Sequence, residues 1–116
     1  DGLIVSTPTG STGYSLSAGG PIIFPQTDVI VITPICPHSL QARSLVVSGE
    51  DRIMIEIGRR RKTQKEEAMV TFDGRSAQEL ETGGRIEIYK AQETTQLIRL
   101  KGRSFYQVLQ NKIGTA

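Results

Sequence analysis

Residues 29–33 read VIVIT, five consecutive β-branched side chains, and no other feature of the chain restricts its fold as strongly. β-Branched residues lose rotamer freedom in a helix but pack well on a pleated sheet. Successive strand side chains point to opposite faces, so an uninterrupted run of this kind predicts a strand covered on both sides. Val29–Thr33 is therefore expected inside a sheet. Pro34 should end it, with Pro37 and the polar pair His38-Ser39 in the loop beyond.

Further short strands are expected around it: Leu3–Thr7, Ser44–Val47, Arg52–Ile57, Met69–Phe72, Arg85–Tyr89 and Thr95–Leu100. In Arg52–Ile57, Ile53, Ile55 and Ile57 alternate with Met54 and Glu56, the period-2 pattern of a half-buried strand. Asp73-Gly74 and Gly83-Gly84 read as turns. Two helices are expected. Thr9–Ala18 would be stopped by Gly19-Gly20-Pro21, with Gly13 a weak point inside it. Phe105–Lys112 spaces Phe105, Val108, Leu109 and Lys112 as an amphipathic helix does. About seven short strands at roughly 8–15-residue spacing predict a mainly β, largely antiparallel two-layer domain with one short helix near its start and one at its end.

The 116 residues suit one domain. At 37% apolar and 22% charged the composition is that of a folded chain rather than a disordered one, and with only 5% aromatics the core falls to Ile, Val and Leu. No apolar run approaches the roughly 18 residues of a membrane helix, and a formal net charge of +2 names no partner class. Neither a membrane nor a nucleic-acid partner is expected. A lone Cys36 makes no internal disulfide, which fits a reducing cytoplasm. The chain opens at Asp1-Gly2 without a starting Met, and we expect a domain of a longer protein.

The stretch STPTGSTGYSLSAGGP, residues 6–21, is the first candidate site. Thr9, Ser11 and Thr12 lie where a helix would start, and unpaired N–H groups there attract oxygen-rich ligands. Gly10 and Gly13 remove side chains that would obstruct close approach, and Tyr14 adds a planar face. A plain N-capped helix after a loop has the same composition, and no phosphate loop of the Gly-Lys-Ser/Thr kind is present. Asp73-Gly74-Arg75 could hold a polar ligand or be only a hairpin turn. His38 and Cys36 form no recognisable metal set. The run Arg59-Arg60-Arg61-Lys62 with Lys65 could meet nucleic-acid phosphates, but it lacks interleaved aromatics and precedes Glu66-Glu67, so a solvated hairpin tip is expected.

Over nearly its full length the chain also resembles the NAD kinases, from the beginning of their C-terminal domain onward. DGLIVSTPTGSTGYSLSAGGP (Asp1–Pro21) is similar to that family's signature, whose usual form has Ala at the place of Gly13. IVITPICPHSL (Ile30–Leu40), Leu45-Val46-Val47, VTFDG (Val70–Gly74) and the tail RSFYQVLQNKIG match further family segments in order. The resemblance implies transfer of a phosphoryl group from ATP, or from polyphosphate in some members, to the adenosine ribose 2′-hydroxyl of NAD, giving NADP, with a divalent metal (Mg2+ or Mn2+). It implies a β-rich C-terminal domain preceded by an α/β domain, and a homodimer or homotetramer in which a neighbouring subunit helps to form the NAD site.

Carried over residue by residue, Asp1 matches an acidic contact to the nicotinamide amide. Thr9, Thr12, Gly13 and Tyr14 match positions lining the dinucleotide, and Ser11 and Ser17 of the same stretch are placed with them. Thr33 and Ile35 belong to the Thr33–Pro37 segment that reaches the adjacent subunit's NAD. Asp73 and Gly74, with Arg75 where many bacterial members carry Gln, match a turn near ribose and phosphates. Ser44 stands where Pro is frequent. The family's Gly-Gly-Asp-Gly motif, which supplies the catalytic base, and its Asn-Glu motif do not occur in these residues. The chain is therefore expected to hold no catalytic residue and no metal ligand, and to be catalytically silent by itself. The alternatives are a non-catalytic dinucleotide-binding or self-assembling remnant and, through Arg59–Lys65, a small nucleic-acid-binding module.

Overall fold

The computed structural model of the chain describes residues 2–58 and 67–114. The expectations placed on Asp1 and on Arg59–Lys65 lie outside the described residues. Two compact units are present, Asp1–Glu50 with Ala91–Ala116, and Asp51–Lys90.

In the first unit, β1 (Gly2–Ser6), β2 (Val29–Ile35) and β3 (Leu45–Ser48) form an antiparallel sheet in the order β1-β2-β3. The VIVIT strand is thus central. Its neighbours in sequence Ile30 and Val31 point to opposite faces and are both buried, so the strand is covered on both sides as its composition requires. The strand does not stop before Pro34. Its pairing with β3 ends at Ile32 opposite Leu45, whereas its pairing with β1 continues through Leu3–Pro34 to Gly2–Ile35. Pro34 therefore lies where one edge of β2 has no ladder to break, the position at which a strand accepts a residue without an N–H.

The second unit holds β4 (Ile53–Glu56) paired with β7 (Arg85–Ile88), and β5 (Glu67–Phe72) paired with β6 (Arg75–Glu81), again antiparallel. Ile53 faces Ile88 and Ile55 faces Ile86, while Met54 and Glu56 are exposed, as the alternation demands. Arg52 Nη1 donates to Glu87 Oε1 at 2.7 Å, and its guanidinium lies 4.3 Å from the Tyr89 ring centroid. β6 was not expected from sequence. RSAQELE has almost no apolar alternation, and what makes it a strand is its ladder to β5, started by the Asp73-Gly74 turn with both φ angles positive (50° and 73°).

Helix α2 (Phe105–Ile113) matches its amphipathic spacing. It is opened by a reciprocal cap: Gln107 N–H donates to Ser104 Oγ at 3.2 Å, and Ser104 N–H to Gln107 Oε1 at 2.9 Å. Phe105 packs edge-on against Phe24, centroids 4.9 Å apart. Ser104→Ala leaves the Gln107 amide without its acceptor, and we expect a loss of about 1 kcal/mol of helix stability. Reduced helical ellipticity with a lowered thermal midpoint would register it.

Two further expectations fail. Thr95–Leu100 is not a strand: Leu97, Ile98 and Leu100 are 76–93% exposed, and no regular element covers them. A short apolar run becomes a strand only with a ladder partner, and none is present for it among the described residues. The helix expected over Thr9–Ala18 is instead a 3₁₀ turn, Thr9–Thr12, and a single α turn, α1 (Tyr14–Ser17), broken at Gly13 where the backbone turns to φ −89°, ψ −131°.

Candidate nucleotide-contacting turn

The turn leaves β1 at Ser6 and returns towards the sheet at Gly20. Thr7 Oγ1 accepts from Gly10 N–H at 3.1 Å, and Ser11 N–H donates to the Pro8 carbonyl at 3.1 Å, which sets the first tight bend. Gly13 closes it by donating to the Gly10 carbonyl at 3.0 Å. Beyond Gly13, Ala18 N–H bonds to the Tyr14 carbonyl, and Gly19, with φ +95°, ends the turn in a conformation that side chains other than glycine disfavour.

This local geometry sorts the hydroxyls into two groups. Ser11 and Ser15 face inward, at 0% and 1% exposure. Ser11 Oγ donates to the Pro8 carbonyl at 2.6 Å and accepts from Ile23 N–H at 3.0 Å, so its bonding capacity is used internally. Ser15 Oγ lies 2.9 Å from Thr33 Oγ1, which in turn accepts from Ser44 Oγ at 3.3 Å. Thr9, Thr12, Gly13, Tyr14 and Ser17 are exposed, Tyr14 at 70%. Five of the residues expected to line a ligand are thus presented to solvent together within nine positions. A turn of this length has no developed helix dipole, so its attraction for a ligand rests on these side chains and on backbone access at Gly13.

Thr33 itself is buried, and Ile35 is half-buried at the end of β2 opposite Gly2. Above Thr33 is a depression of about 170 Å³ bordered by Gly19, Pro34, Arg43 and Ser44. Ligand pockets run to roughly 300–1,000 Å³, so this hollow does not enclose a dinucleotide. Asp73, Gly74 and Arg75 sit together, exposed, on the β5–β6 turn of the other unit. A larger concavity of about 390 Å³ is lined by Arg99, Lys101 and Arg103 over Phe105 and Val108, none of them expected from sequence to line a site. Among the described residues no three His, Cys, Asp or Glu side chains converge as a metal site, and no helix is long and apolar enough to cross a membrane.

The family profile of the ATP-NAD kinase C-terminal domain matches residues 1–100, which include the whole of the turn and both units' strands. The chain belongs to this family. An NAD kinase of Lachnoclostridium phytofermentans is 56% identical over 114 residues, covering 98% of this chain and 40% of that protein. One from Carboxydothermus hydrogenoformans is 50% identical over 116 residues, covering 100% of this chain and 40% of its own. Among solved structures, yeast NADH kinase complexed with NADH superposes with a TM-score of 0.68 at 42% identity, over 77% of this chain and 24% of that one. The chain spans about 40% of the length of the curated NAD kinases it matches.

In this NAD kinase C-terminal domain residues 9–17 therefore form a broken turn rather than one helix. Gly13 has room for a methyl only after a small adjustment, because an added Cβ would stand 3.3 Å from the Gly10 carbonyl oxygen. The inward role of Ser15 had no sequence signal of its own, since Ser11, Ser15 and Ser17 are chemically alike and lie on one short segment.

Proposed function

We propose that this chain is the NAD-binding part of an NAD kinase that transfers the γ-phosphoryl group of ATP, or a phosphoryl group of polyphosphate, to the adenosine ribose 2′-hydroxyl of NAD, producing NADP. The observation that carries this reading is the coincidence of the family match with an outward-facing group: Thr9, Thr12, Tyr14 and Ser17 are exposed on the matched turn. Hydroxyls of this kind hydrogen-bond ribose and phosphate oxygens, and a tyrosine ring gives an adenine or ribose a flat apolar face. Asp73, Gly74 and Arg75 would add a carboxylate, an unobstructed backbone and a cation near ribose and phosphates, and Asp1 a partner for the nicotinamide amide.

A ribose hydroxyl is a weak nucleophile, and its attack on a phosphoryl group needs positioning, charge neutralisation and a base to take its proton. This domain's part is positioning. A divalent metal (Mg2+ or Mn2+) would neutralise phosphate charge, held mainly by the donor's phosphates as is common for Mg2+, since the described side chains build no metal site of three such ligands. The base is assigned to residues outside this chain, so the isolated 116 residues should form no NADP. We further read the protein as a cytoplasmic homodimer or homotetramer, with residues 35–37 of the Thr33–Pro37 segment directed at the neighbouring subunit's NAD, Thr33 itself being buried.

The test is calorimetric titration of NAD into the chain and into Tyr14→Ala. Loss of one stacking face should weaken binding by about tenfold or more. Equal affinity in both would remove Tyr14 from the site, and ATP-dependent NADP formation by the isolated chain would overturn the assignment of the base.

A further inference from the structure

We propose that Ser15 and Thr33 form a positioning latch for the ligand-facing turn, with Gly20 sealing it and Ser44 joining it to the start of β3. The inference rests on the NAD-binding reading above and names residues that act through Tyr14 and Ser17 rather than touching the dinucleotide. Three observations support it. Ser15 Oγ and Thr33 Oγ1 are 2.9 Å apart, and both residues are 1% exposed. Ser15 lies between Tyr14 and Ser17, so fixing its side chain fixes the α turn that presents the two exposed residues beside it. Thr33 lies on β2, held by its pairing with Ile4 of β1, so the latch ties a four-residue helix to the most buried strand of the domain.

A helix of four residues has no stability of its own, and α1 has no side-chain cap. Something else must hold its orientation. On one side that is Ser11, bonded to Pro8 and Ile23. On the other it is Ser15, with Gly20 donating its N–H to the Ser15 carbonyl at 2.8 Å and leaving no Cβ in the space between. The Ser15–Thr33 bond is sheltered from water, so deleting the Thr33 hydroxyl strands Ser15 Oγ, whereas deleting that of Ser15 leaves Thr33 Oγ1 only the longer contact to Ser44. Ser44 brings a donor to this cluster at 3.3 Å, a contact that a proline at that place would not make.

The experiment compares Ser15→Ala, Thr33→Val and Thr33→Ser in the full-length protein. Two measurements are made: hydrogen exchange by segment without ligand, and steady-state NADP formation. Ser15→Ala and Thr33→Val should lose protection within residues 9–20 while β1 and β2 keep theirs. They should raise KM for NAD about tenfold, the size of one lost buried hydrogen bond, with KM for the phosphoryl donor unchanged. Thr33→Ser retains the hydroxyl and should restore both. Wild-type exchange across 9–20 in Ser15→Ala overturns the latch, and so does a loss of protection spread over the whole sheet, which would make the pair ordinary core. If the wild-type protein forms no NADP, the functional reading fails on its own, and the exchange data still decide the latch.

Discussion

Gly20→Ala should lower the stability of this domain by about 3 kcal/mol, near the top of the usual range for overpacking a closed site. An added Cβ would come within 2.5 Å of Ser15 Oγ, 2.6 Å of Thr33 Oγ1 and 2.9 Å of the Ser15 carbonyl oxygen. None of these atoms is the free end of a long side chain. Two are bonded to each other, and the third accepts the Gly20 N–H, so relief requires breaking the Ser15–Thr33 bond or lifting the turn off β2. Gly20 is thus required by space. Gly19 beside it is required by conformation, since its φ is +95° and a Cβ there would meet open solvent; Gly19→Ala should cost only about 1 kcal/mol. Urea unfolding of both variants checks the contrast through their midpoints at constant slope. Equal effects would mean that the hydroxyl pair is not packed under Gly20 as described.

Val31→Ala should cost about 2 kcal/mol, because it removes two methyl groups from a side chain with no exposure in the middle of the central strand. Val31 is paired with Ser6 on one side and Val46 on the other, so the sheet cannot close easily over the space left. Leu100→Ala, a larger deletion, should change stability by less than about 0.5 kcal/mol, because Leu100 is 93% exposed. The same unfolding measurement compares them. A large loss at Leu100 would restore the strand expected over Thr95–Leu100.

Much of the fold follows from local chemistry. The β-branched run 29–33 is a central strand, the isoleucines of Ile53–Glu56 alternate as a half-buried strand should, and Asp73-Gly74 makes the tight hairpin its residues favour. In each case the deciding interaction lies within a few residues or repeats with the strand period. β6 escaped this reasoning because its residues carry little apolar pattern, and a strand can be held by the hydrogen bonds of a neighbour alone. Thr95–Leu100 failed for the opposite reason, having the pattern without a ladder among the described residues.

For the site, the sequence by itself singled out the candidate segment with its threonines, serines and tyrosine, and through its resemblance the dinucleotide it is proposed to meet. It could not determine which hydroxyls face which way. Ser11, Ser15 and Ser17 offer the same donor and acceptor, so nothing local separates an anchor from a ligand contact. Only the tertiary structure decided it. Gly13 breaks the helix that would have set their spacing, and Thr33, eighteen residues further along and on another element, draws Ser15 into the interior. A buried hydroxyl must find a partner, and where that partner comes from a distant strand, the chain has to fold before the choice is made.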